Sequence, residues 1–456
     1  MKRVLMIAYH YPPQAGSSGL QRTLKFAQYL KDFGWEATVL SAHPRAYART
    51  AETPQDVAGP VAVHRAFALD SSRHLAFKGR YLQLSALPDR WVSWWLGAVP
   101  LGLRLAREQK FDVIWSTYPI ATAHMIANTL HARTGIPWVA DFRDPMTEPG
   151  FPPDPQVHRA HSRVERSAVA NCTRAVFTTP GTRSAYLRNF PQADGRRFSV
   201  IENGHDENDF AAALAGLQSA AQPSAKDAGR SGVIEHKLDA DDFAAAQAGL
   251  ELSAQPSVNR RYAARPFTLL HSGIVYPSER DPRPLFAALT QLRSTGQLSS
   301  ETFQLVLRAS AHEADLQPML DAHGIGDMVV LAPPIPYRAA LAEMLAADGL
   351  LVLQASNCNN QIPAKLYEYL RAGRPILALT DPIGDTASAM RHMGLDSIAA
   401  LDSSDAIRAA LLGFMARVQG GSWRKPEEAL VAANSRRNRT AELAQLFDAV
   451  ADTDRT

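Results

Sequence analysis

The 456-residue chain contains only two cysteines, Cys172 and Cys358, which excludes a disulfide framework and a cysteine-rich zinc site. Its 14 histidines are scattered without HExxH or similar spacing, so we expect no metal centre. The longest uncharged apolar stretch, Trp94 to Leu103, is half as long as the ~20 residues that span a bilayer. The 48 basic and 45 acidic residues nearly balance, which argues against nucleic-acid binding. We therefore expect a cytoplasmic protein, with peripheral contact to the inner face of the plasma membrane left open.

The sequence also lacks two common nucleotide-binding fingerprints. It has no Walker A sequence, and the first predicted strand, Val4–Tyr9, is not followed by G-x-G-x-x-G and an acidic residue about 20 positions later. The loop after this strand instead runs from His10 to Gly16, Ser17 and Gly19. Small residues before a helix expose backbone N–H groups, which suit a phosphate or a sugar hydroxyl. A plain flexible turn is the alternative.

Short apolar runs alternate with helix-like segments along most of the chain, a pattern typical of parallel α/β sheets. The first series of predicted strands is Val4–Tyr9, Ala37–Leu40, Val113–Trp115, Trp138–Ala140 and Ala175–Thr178. The second series is Phe267–His271, Phe303–Leu307, Met328–Leu331, Leu350–Leu353 and Ile376–Leu379. We therefore predict an α/β protein with two tandem doubly wound Rossmann-like domains, 1–203 and 265–420, followed by a helical tail over 421–456.

A duplicated segment occupies the predicted linker, 204–264. Residues 200–224 match residues 233–257 at a constant offset of 33, and both copies end in Ala-Gln-Pro-Ser. Two copies are too few for a solenoid. We favour a tandem duplication of a linker, because long surface insertions cost little free energy. An insertion that binds a partner protein is the alternative.

Two carboxylates and a guanidinium follow the predicted strand Trp138–Ala140, as Asp141, Arg143 and Asp144. Open parallel sheets bind ligands at the carboxyl ends of their strands. These three residues, together with His10 after the first strand, are therefore our candidate catalytic residues. An Asp–Arg ion pair that only braces the loop explains the pattern equally well, and the sequence assigns neither carboxylate as a base.

The segment from Asn357 to Pro375 carries the most informative pattern. Its Asn and Gln residues are candidate helix caps, and Pro363 fits a first helical turn. Lys365 and Glu368, three residues apart, share one face of the predicted helix. Near a helix N-terminus, a lysine suits a diphosphate and a glutamate suits the two hydroxyls of a ribose. An ordinary ion pair on the helix surface is the alternative.

The run from Lys365 to Pro375 resembles the K-x-x-E-x-x-x-x-G-x-P pattern of the retaining glycosyltransferases of family 4, of the bacterial polysaccharide-biosynthesis type. Three further pieces resemble that family in the same order: the first loop (His10–Gly19), the N-G-x-D turn (203–206), and His-Ser-Gly at 271–273 followed by Arg-Asp-Pro at 280–282. The resemblance covers nearly the whole chain outside the duplicated insert.

The resemblance implies the GT-B fold, in which the parallel sheets of two domains face a central cleft. It implies transfer of a sugar from a UDP- or GDP-sugar to a glycan or polyprenol-linked acceptor, with retention and without a cofactor or metal. The implied setting is cell-surface polysaccharide biosynthesis. The implied acceptor or phosphate loop contains Gly16, Ser17 and Gly19. The implied donor-binding residues are Gly273, Arg280, Asn360, Gln361, Lys365, Leu366 and Glu368.

The chain departs from the family pattern at two positions. The first of the family's two donor-helix glutamates falls at Asn360, so Asn360 or Gln361 would contact the donor sugar instead. Ile274 replaces a loop arginine, which leaves Arg280 and Lys365 to carry the diphosphate charge. Two other functions stay open: a nucleotide-sugar epimerase of the same fold, and a non-catalytic subunit of a polysaccharide assembly complex.

Three tryptophans, Trp91, Trp94 and Trp95, lie within five residues. Such a cluster suits either a lipid interface or a protein core. We favour a helix packed on the core of the first domain, because aromatic clusters are more often buried.

Overall fold

The structure is a computed structural model that describes residues 1–15, 19–50, 61–220 and 265–453. The predictions on Gly16 and Ser17, and those on the duplicated segment from residue 221 onward, lie outside the described residues. The chain divides into two units, which are described in turn. The first unit is Met1–Gly204 with Asn434–Thr456, and the second is His205–Ala433.

The first unit contains a seven-stranded parallel sheet in the order β3-β2-β1-β4-β5-β6-β7. Its strands are β1 (Lys2–Ile7), β2 (Trp35–Ala42), β3 (Ala62–Ala66), β4 (Val113–Thr117), β5 (Trp138–Arg143), β6 (Arg174–Phe177) and β7 (Phe198–Val200). The central strands are apolar on both faces because helices cover both sides of a doubly wound sheet. The strand order reverses between β1 and β4, which is where such sheets form a ligand-binding crevice.

Helices connect the strands of the first unit. They are α1 (Gly19–Tyr29), α2 (Ser71–His74), α3 (Trp94–Glu108), α4 (Ala121–Thr134), α5 (Pro155–Asn171) and α6 (Pro180–Asn189). Short 3₁₀ turns span Leu30–Phe33, Pro44–Ala46, Gln83–Ala86 and Gly195–Arg197. Helix α5 shows how the sequence fixes a helix start: Asp154 accepts hydrogen bonds from the second and third amides, and proline occupies the first turn.

The second unit contains a six-stranded parallel sheet in the order β10-β9-β8-β11-β12-β13. Its strands are β8 (Phe267–Ser272), β9 (Phe303–Arg308), β10 (Val329–Ala332), β11 (Gly349–Leu353), β12 (Ile376–Leu379) and β13 (Ile398–Ala399). Its strand order reverses between β8 and β11. Both sheets confirm the predicted pair of doubly wound Rossmann-like folds.

The helices of the second unit are α7 (Glu207–Ala220), α8 (Arg283–Ser294), α9 (Glu313–His323), α10 (Tyr337–Ala346), α11 (Lys365–Ala372), α12 (Asp385–His392), α13 (Ser404–Gln419) and α14 (Glu428–Ala433). A 3₁₀ turn spans Ser356–Cys358. Helix α11 begins at Lys365, after Ala364, without a side-chain cap, so the predicted capping by the Asn/Gln cluster does not occur. It ends at Gly373, whose φ of 64° lies in the left-handed region that favours glycine.

The last helix, α15 (Arg436–Thr453), packs in the first unit, although the residues before it in the sequence belong to the second. Its Leu443, Phe447 and Val450 are buried in one cluster with β1 and β4. The rings of Phe447 and Trp35 pack edge to face, with their centroids 5.2 Å apart. The helix thereby covers a face of α1 that would otherwise be exposed to water.

The tryptophan cluster is part of the protein core. Trp94 is fully buried, and Trp91 and Trp95 pack against the same core. The indole of Trp95 donates to Thr129 Oγ1 at 3.1 Å, which satisfies its polar atom. The core interpretation of the cluster is confirmed. Within the described residues, no helix combines the length and apolarity needed to cross a bilayer.

Candidate functional site

The first-unit site, comprising His10, Gly19, Arg143 and Asp144, lies where the strand order of its sheet reverses. His10 follows β1, and Arg143 ends β5 after a register shift that begins at Asp141. Arg143 adopts a φ of 61°, uncommon for a side chain other than glycine. This backbone turn, with the register shift, directs the guanidinium to the carbonyl oxygens of Gly19 (3.3 Å) and Tyr118 (3.4 Å).

Three of the predicted residues converge tightly. A Cβ atom placed on Gly19 would lie 2.7 Å from Arg143 Nη1 and 3.3 Å from His10 Nδ1. Only glycine therefore leaves room for both side chains at the start of α1. The structure brings His10, Gly19 and Arg143 together, and Asp144 follows directly in the chain.

The electrostatics of this site favour a neutral imidazole beside a charged guanidinium. Burial and the positive charge of Arg143 lower the pKa of His10 to about 4. A neutral imidazole offers one donor and one acceptor, which suits a sugar hydroxyl. Burial raises the pKa of the half-buried Asp144, although Arg143 opposes the shift. Asp144 has no hydrogen bond within the described residues, so its carboxylate is available to a ligand.

The carboxylate of Asp141, by contrast, is occupied by hydrogen bonds within the protein. It is fully buried and accepts two hydrogen bonds from Arg22, at 3.0 and 3.1 Å, and one from Thr117 Oγ1 at 3.1 Å. Arg22 also donates to the carbonyls of Ile201 and Glu202, both at 2.9 Å. The loop-bracing alternative thus holds for Asp141, but its partner is Arg22 and not Arg143. We assign Asp141 a positioning role instead of a catalytic one.

Glu165 is a positioning residue that the sequence reasoning missed. It is only 4% exposed, and its carboxylate accepts hydrogen bonds from Tyr186 Oη at 2.5 Å and from Thr147 Oγ1. Tyr186 in turn accepts from the amide of Met146 at 3.2 Å. Burial raises the pKa of Glu165. These bonds fix the loop that follows Asp144, and no local spacing in the sequence distinguishes Glu165 from the exposed charges around it.

The second-unit site, comprising His271, Gly273, Arg280, Lys365 and Glu368, also lies where its sheet reverses order. Gly273 follows β8 and has a φ of 121°, which side chains rarely adopt. A Cβ on Gly273 would lie 3.0 Å from Lys365 Nζ. Glycine is thus required both for the backbone conformation and for the close approach of the lysine.

The Gly273→Ala substitution is expected to weaken ligand binding at this site at least tenfold, because it strains the backbone and displaces Lys365. The measurement is calorimetric titration with UDP and GDP. Gly296→Ala is the matched control: its φ of 67° is also positive, but nothing lies within 4 Å of the added Cβ. Equal nucleotide affinity in the two variants would remove Gly273 from the site.

Lys365 is held by an unusual partner, a neutral histidine. The fully buried His271 donates from Nδ1 to the carbonyl of Leu351 at 2.9 Å, so its Nε2 accepts from Lys365 Nζ at 3.0 Å. Burial, with Lys365 and Arg280 nearby, keeps the pKa of His271 well below its ordinary value. The acceptor form of the ring is therefore the one that contacts the lysine.

Positive charge is concentrated at this site. Burial and the neighbouring Arg280 hold the pKa of Lys365 well below its ordinary value, and Glu368 only partly offsets this. Arg280 lies over the Tyr276 ring at 5.2 Å and donates to the carbonyl of Ile274. Within the described residues, neither cation forms an ion pair with a carboxylate. A bound anion would relieve the repulsion, which makes this pair a candidate phosphate site.

Glu368 faces a tyrosine that the sequence reasoning did not identify. Tyr337 Oη, at the start of α10, donates to Glu368 Oε1 at 2.7 Å. The bond orients the carboxylate. Nothing in the sequence around Tyr337 predicts this contact, because the two residues come from different helices.

The Asn/Gln loop before α11 is held in place by hydrogen bonds from other side chains to its backbone carbonyls. The buried Gln354 donates to the carbonyls of Cys358 at 2.9 Å and Gln361 at 3.0 Å. Thr386 Oγ1 donates to the same Gln361 carbonyl at 3.1 Å. These bonds hold the backbone around the half-buried Asn360 and Gln361.

Leu366 is placed in the core and not at a ligand surface. Its side chain is fully buried, and its amide donates to the Pro363 carbonyl at 2.9 Å. We therefore withdraw the predicted donor contact of this side chain. Among the described residues, no group of three or more His, Cys, Asp or Glu side chains is arranged to hold a metal ion.

Comparisons with known proteins agree with this architecture. Residues 19–204 match the family model described as a glycosyl transferase 4-like domain. The comparison with curated proteins found no match. Similar solved structures include sucrose-phosphate synthase from Thermosynechococcus elongatus, which is 14% identical with a TM-score of 0.59, over 99% of this chain and 97% of that one.

Two further structures are similar over nearly their whole lengths. The Anabaena protein HepE, in complex with UDP and glucose, is 13% identical with a TM-score of 0.59, covering 98% of this chain and 100% of that one. The alpha,alpha-trehalose 6-phosphate synthase from Burkholderia multivorans is 12% identical with a TM-score of 0.62, covering 100% and 98%. These likenesses identify the fold of this chain as GT-B.

Proposed function

We propose that this protein is a glycosyltransferase that moves a sugar from a UDP- or GDP-sugar to a glycan or lipid-linked acceptor, with retention, in cell-surface polysaccharide biosynthesis. The observation that carries the proposal is the pair of cations, Lys365 and Arg280, beside the Cβ-free backbone of Gly273. The glycosyl transferase 4-like match over residues 19–204 supports it, as does the HepE structure with UDP and glucose. We further propose that the protein acts in the cytoplasm.

The proposed chemistry needs stabilisation of a departing diphosphate. Lys365 and Arg280 would neutralise its charge in a partly desolvated site, where such interactions are strongest. The acceptor oxygen forms the new bond to the anomeric carbon, the bond from that carbon to the diphosphate oxygen breaks, and the acceptor proton passes to the leaving phosphate. Glu368 would bind the ribose, and Asn360 and Gln361 would bind the donor sugar.

The first-unit site would bind the acceptor. Neutral His10 would donate one hydrogen bond to its hydroxyls and accept another, the carboxylate of Asp144 would accept, and Arg143 would hold the backbone at Gly19. Gly19 belongs to this site through its close contact with Arg143. The proposed roles of Gly16 and Ser17 in the same loop concern residues that the structure does not describe.

The Glu368→Ala substitution is expected to abolish discrimination between UDP and 2′-deoxy-UDP. A hydrogen bond from a ribose hydroxyl to a carboxylate contributes about 1.5–3 kcal/mol, so the wild type should prefer UDP by roughly 10- to 150-fold. Calorimetric titration with both nucleotides measures the ratio. Tyr337→Phe, which removes only the orienting hydroxyl, should reduce the ratio partly. An unchanged ratio in Glu368→Ala would exclude the ribose assignment.

The affinity for nucleoside diphosphates is expected to fall as the pH rises through the lowered pKa of Lys365. Burial and the neighbouring Arg280 hold the pKa of Lys365 well below its ordinary value, so the lysine loses its proton, and its attraction for phosphate, at a lower pH than an exposed lysine does. The Lys365→Arg variant should show a flat profile, because a guanidinium stays charged throughout. A flat profile in the wild type would contradict a protonated Lys365 as the phosphate ligand.

Turnover assays test the function itself. The purified protein is incubated with UDP- and GDP-sugars, with and without oligosaccharide and polyprenyl-phosphate-linked acceptors, and the released nucleotide is measured. The proposal expects release that requires an acceptor and that declines strongly in Arg143→Ala. Nucleotide release without any acceptor would favour the epimerase. Nucleotide binding without turnover on any acceptor would favour a non-catalytic subunit.

A further inference from the structure

The loop over residues 71–88 of the first unit, here called the apolar-basic loop, exposes large apolar side chains. Five of the thirteen such side chains that are exposed among the described residues lie between positions 75 and 84. They are Leu75 at 46%, Phe77 at 77%, Tyr81 at 42%, Leu82 at 81% and Leu84 at 81% exposure. Soluble monomers rarely expose so many together, and such patches mark interaction sites.

The charge of the same loop has one sign. No aspartate or glutamate occurs from Ser71 to Pro88, whereas Arg73, Lys78 and Arg80 are all basic and exposed. Lys78 lies over the Phe77 ring at 5.7 Å. Neither Lys78 nor Arg80 forms an ion pair within the described residues. The loop therefore presents apolar tips interleaved with uncompensated cations.

The backbone at the tip of the loop is satisfied internally. Phe77 and Arg80 exchange two backbone hydrogen bonds, at 2.7 and 3.0 Å, across a two-residue turn formed by Lys78 and Gly79. The positive φ values of Lys78 (49°) and Gly79 (76°) are those of a tight hairpin turn. Such a tip can enter an apolar environment without leaving these backbone groups unpaired.

The base of the loop is anchored to the core near the first-unit site. The Ser71 amide donates to the Arg90 carbonyl at 2.8 Å, which closes the loop. The adjoining Trp91 and Trp94 pack against Tyr9 with ring centroids 4.7 and 6.1 Å apart. Tyr9 directly precedes His10. One packed aromatic cluster thus connects the base of the loop to the residue that precedes His10.

We propose that the apolar-basic loop docks the protein on an anionic lipid bilayer. Phe77, Leu82 and Leu84 would insert at the boundary between headgroups and acyl chains, and Lys78 and Arg80 would pair with lipid phosphates. Charge complementarity selects this occupant, because a negatively charged surface matches a loop without acidic residues. The proposal goes beyond the proposed function and does not depend on it, since membrane binding requires no catalysis.

Vesicle co-sedimentation tests the proposal with the full-length protein. Wild type should sediment with vesicles of phosphatidylcholine and phosphatidylglycerol and much less with phosphatidylcholine alone, and added salt should weaken the binding. Lys78→Ala/Arg80→Ala should lower the partition coefficient roughly 25-fold, about fivefold for each cation. Phe77→Ser/Leu82→Ser/Leu84→Ser should lower it at least tenfold, because the inserted apolar surface is lost.

Two exposed side chains outside the loop provide matched controls. Leu96 (62% exposed) lies in the first unit and Ile383 (87% exposed) in the second, and their serine variants should bind vesicles like the wild type. Circular dichroism and UDP affinity should be unchanged in all variants, which separates this test from that of the proposed function. The proposal would be overturned if the wild type did not bind anionic vesicles, or if the triple variant bound them as well as the wild type does. So would a wild-type dimer that the triple variant abolishes, because a second copy would then be the occupant.

Discussion

Replacing Lys365 with alanine is expected to lower the affinity for UDP or GDP at least 30-fold. The lysine is half-buried and has a lowered pKa, and its ammonium forms no ion pair among the described residues, where it donates to the neutral His271. Truncating one partner of a buried, hydrogen-bonded charge pair costs about 2–5 kcal/mol, which corresponds to this loss or more. Calorimetric titration of the variant against wild type measures it.

Two further observations make the Lys365 test specific. Arg408→Ala removes an exposed cation of the same unit that pairs with Asp405 at 3.3 Å, and it should leave nucleotide affinity unchanged. The Lys365→Ala variant should also raise the pKa of His271, because the lysine charge is one of the causes that lower it. Wild-type affinity in Lys365→Ala would remove the phosphate site from the second unit.

Breaking the buried Arg22–Asp141 pair is expected to destabilise the first unit by about 3–5 kcal/mol. Arg22 is 5% exposed and Asp141 fully buried, so Arg22→Ala leaves a carboxylate without its cation in the core. The two backbone carbonyls that Arg22 holds, at Ile201 and Glu202, lose their donor as well. Thermal and urea unfolding, followed by circular dichroism, measure the loss.

This second prediction has two controls, an exposed ion pair and a double variant that replaces both buried charges. Arg196→Ala breaks an exposed pair with Asp194 and should not shift the unfolding midpoint. The double variant Arg22→Met/Asp141→Leu should recover much of the stability, since a well-packed apolar pair avoids the cost of a buried, unpaired charge. If Arg22→Ala unfolds at the same midpoint as Arg196→Ala, the pair does not brace the first unit.

Much of the fold could be predicted from the sequence because the central strands carry strong local signals. Apolar runs such as Leu350–Leu353 are buried on both faces, and each predicted strand coincides with an observed one to within three residues at either end. The strands β3, β7 and β13 were not predicted. β7 and β13 are only 3 and 2 residues long, and β3 lies at a sheet edge with Val63 exposed, so neither length nor apolarity marks them.

The sequence predicted those site residues that lie close together along the chain. It did not predict those that meet their partners only through the tertiary fold. Lys365 and Glu368 share one helix face by spacing alone, and Gly273 follows directly after an apolar strand. Tyr337 and Arg22, by contrast, reach their partners across 31 and 119 residues of sequence. Arg22 is buried because Asp141 and the carbonyls of Ile201 and Glu202, all distant in sequence, surround its guanidinium. Such contacts depend on tertiary packing, which local patterns do not encode.

The most direct test of the account is the thermal stability of the full-length protein with UDP, GDP, CMP and NAD at millimolar concentration. A ligand present at about 100 times its dissociation constant adds about 2.7 kcal/mol to the free energy of unfolding, which shifts the midpoint measurably. The account predicts a shift with UDP or GDP that Lys365→Ala abolishes, and none with CMP or NAD. No shift with either diphosphate would contradict the nucleotide site and with it the proposed glycosyl transfer.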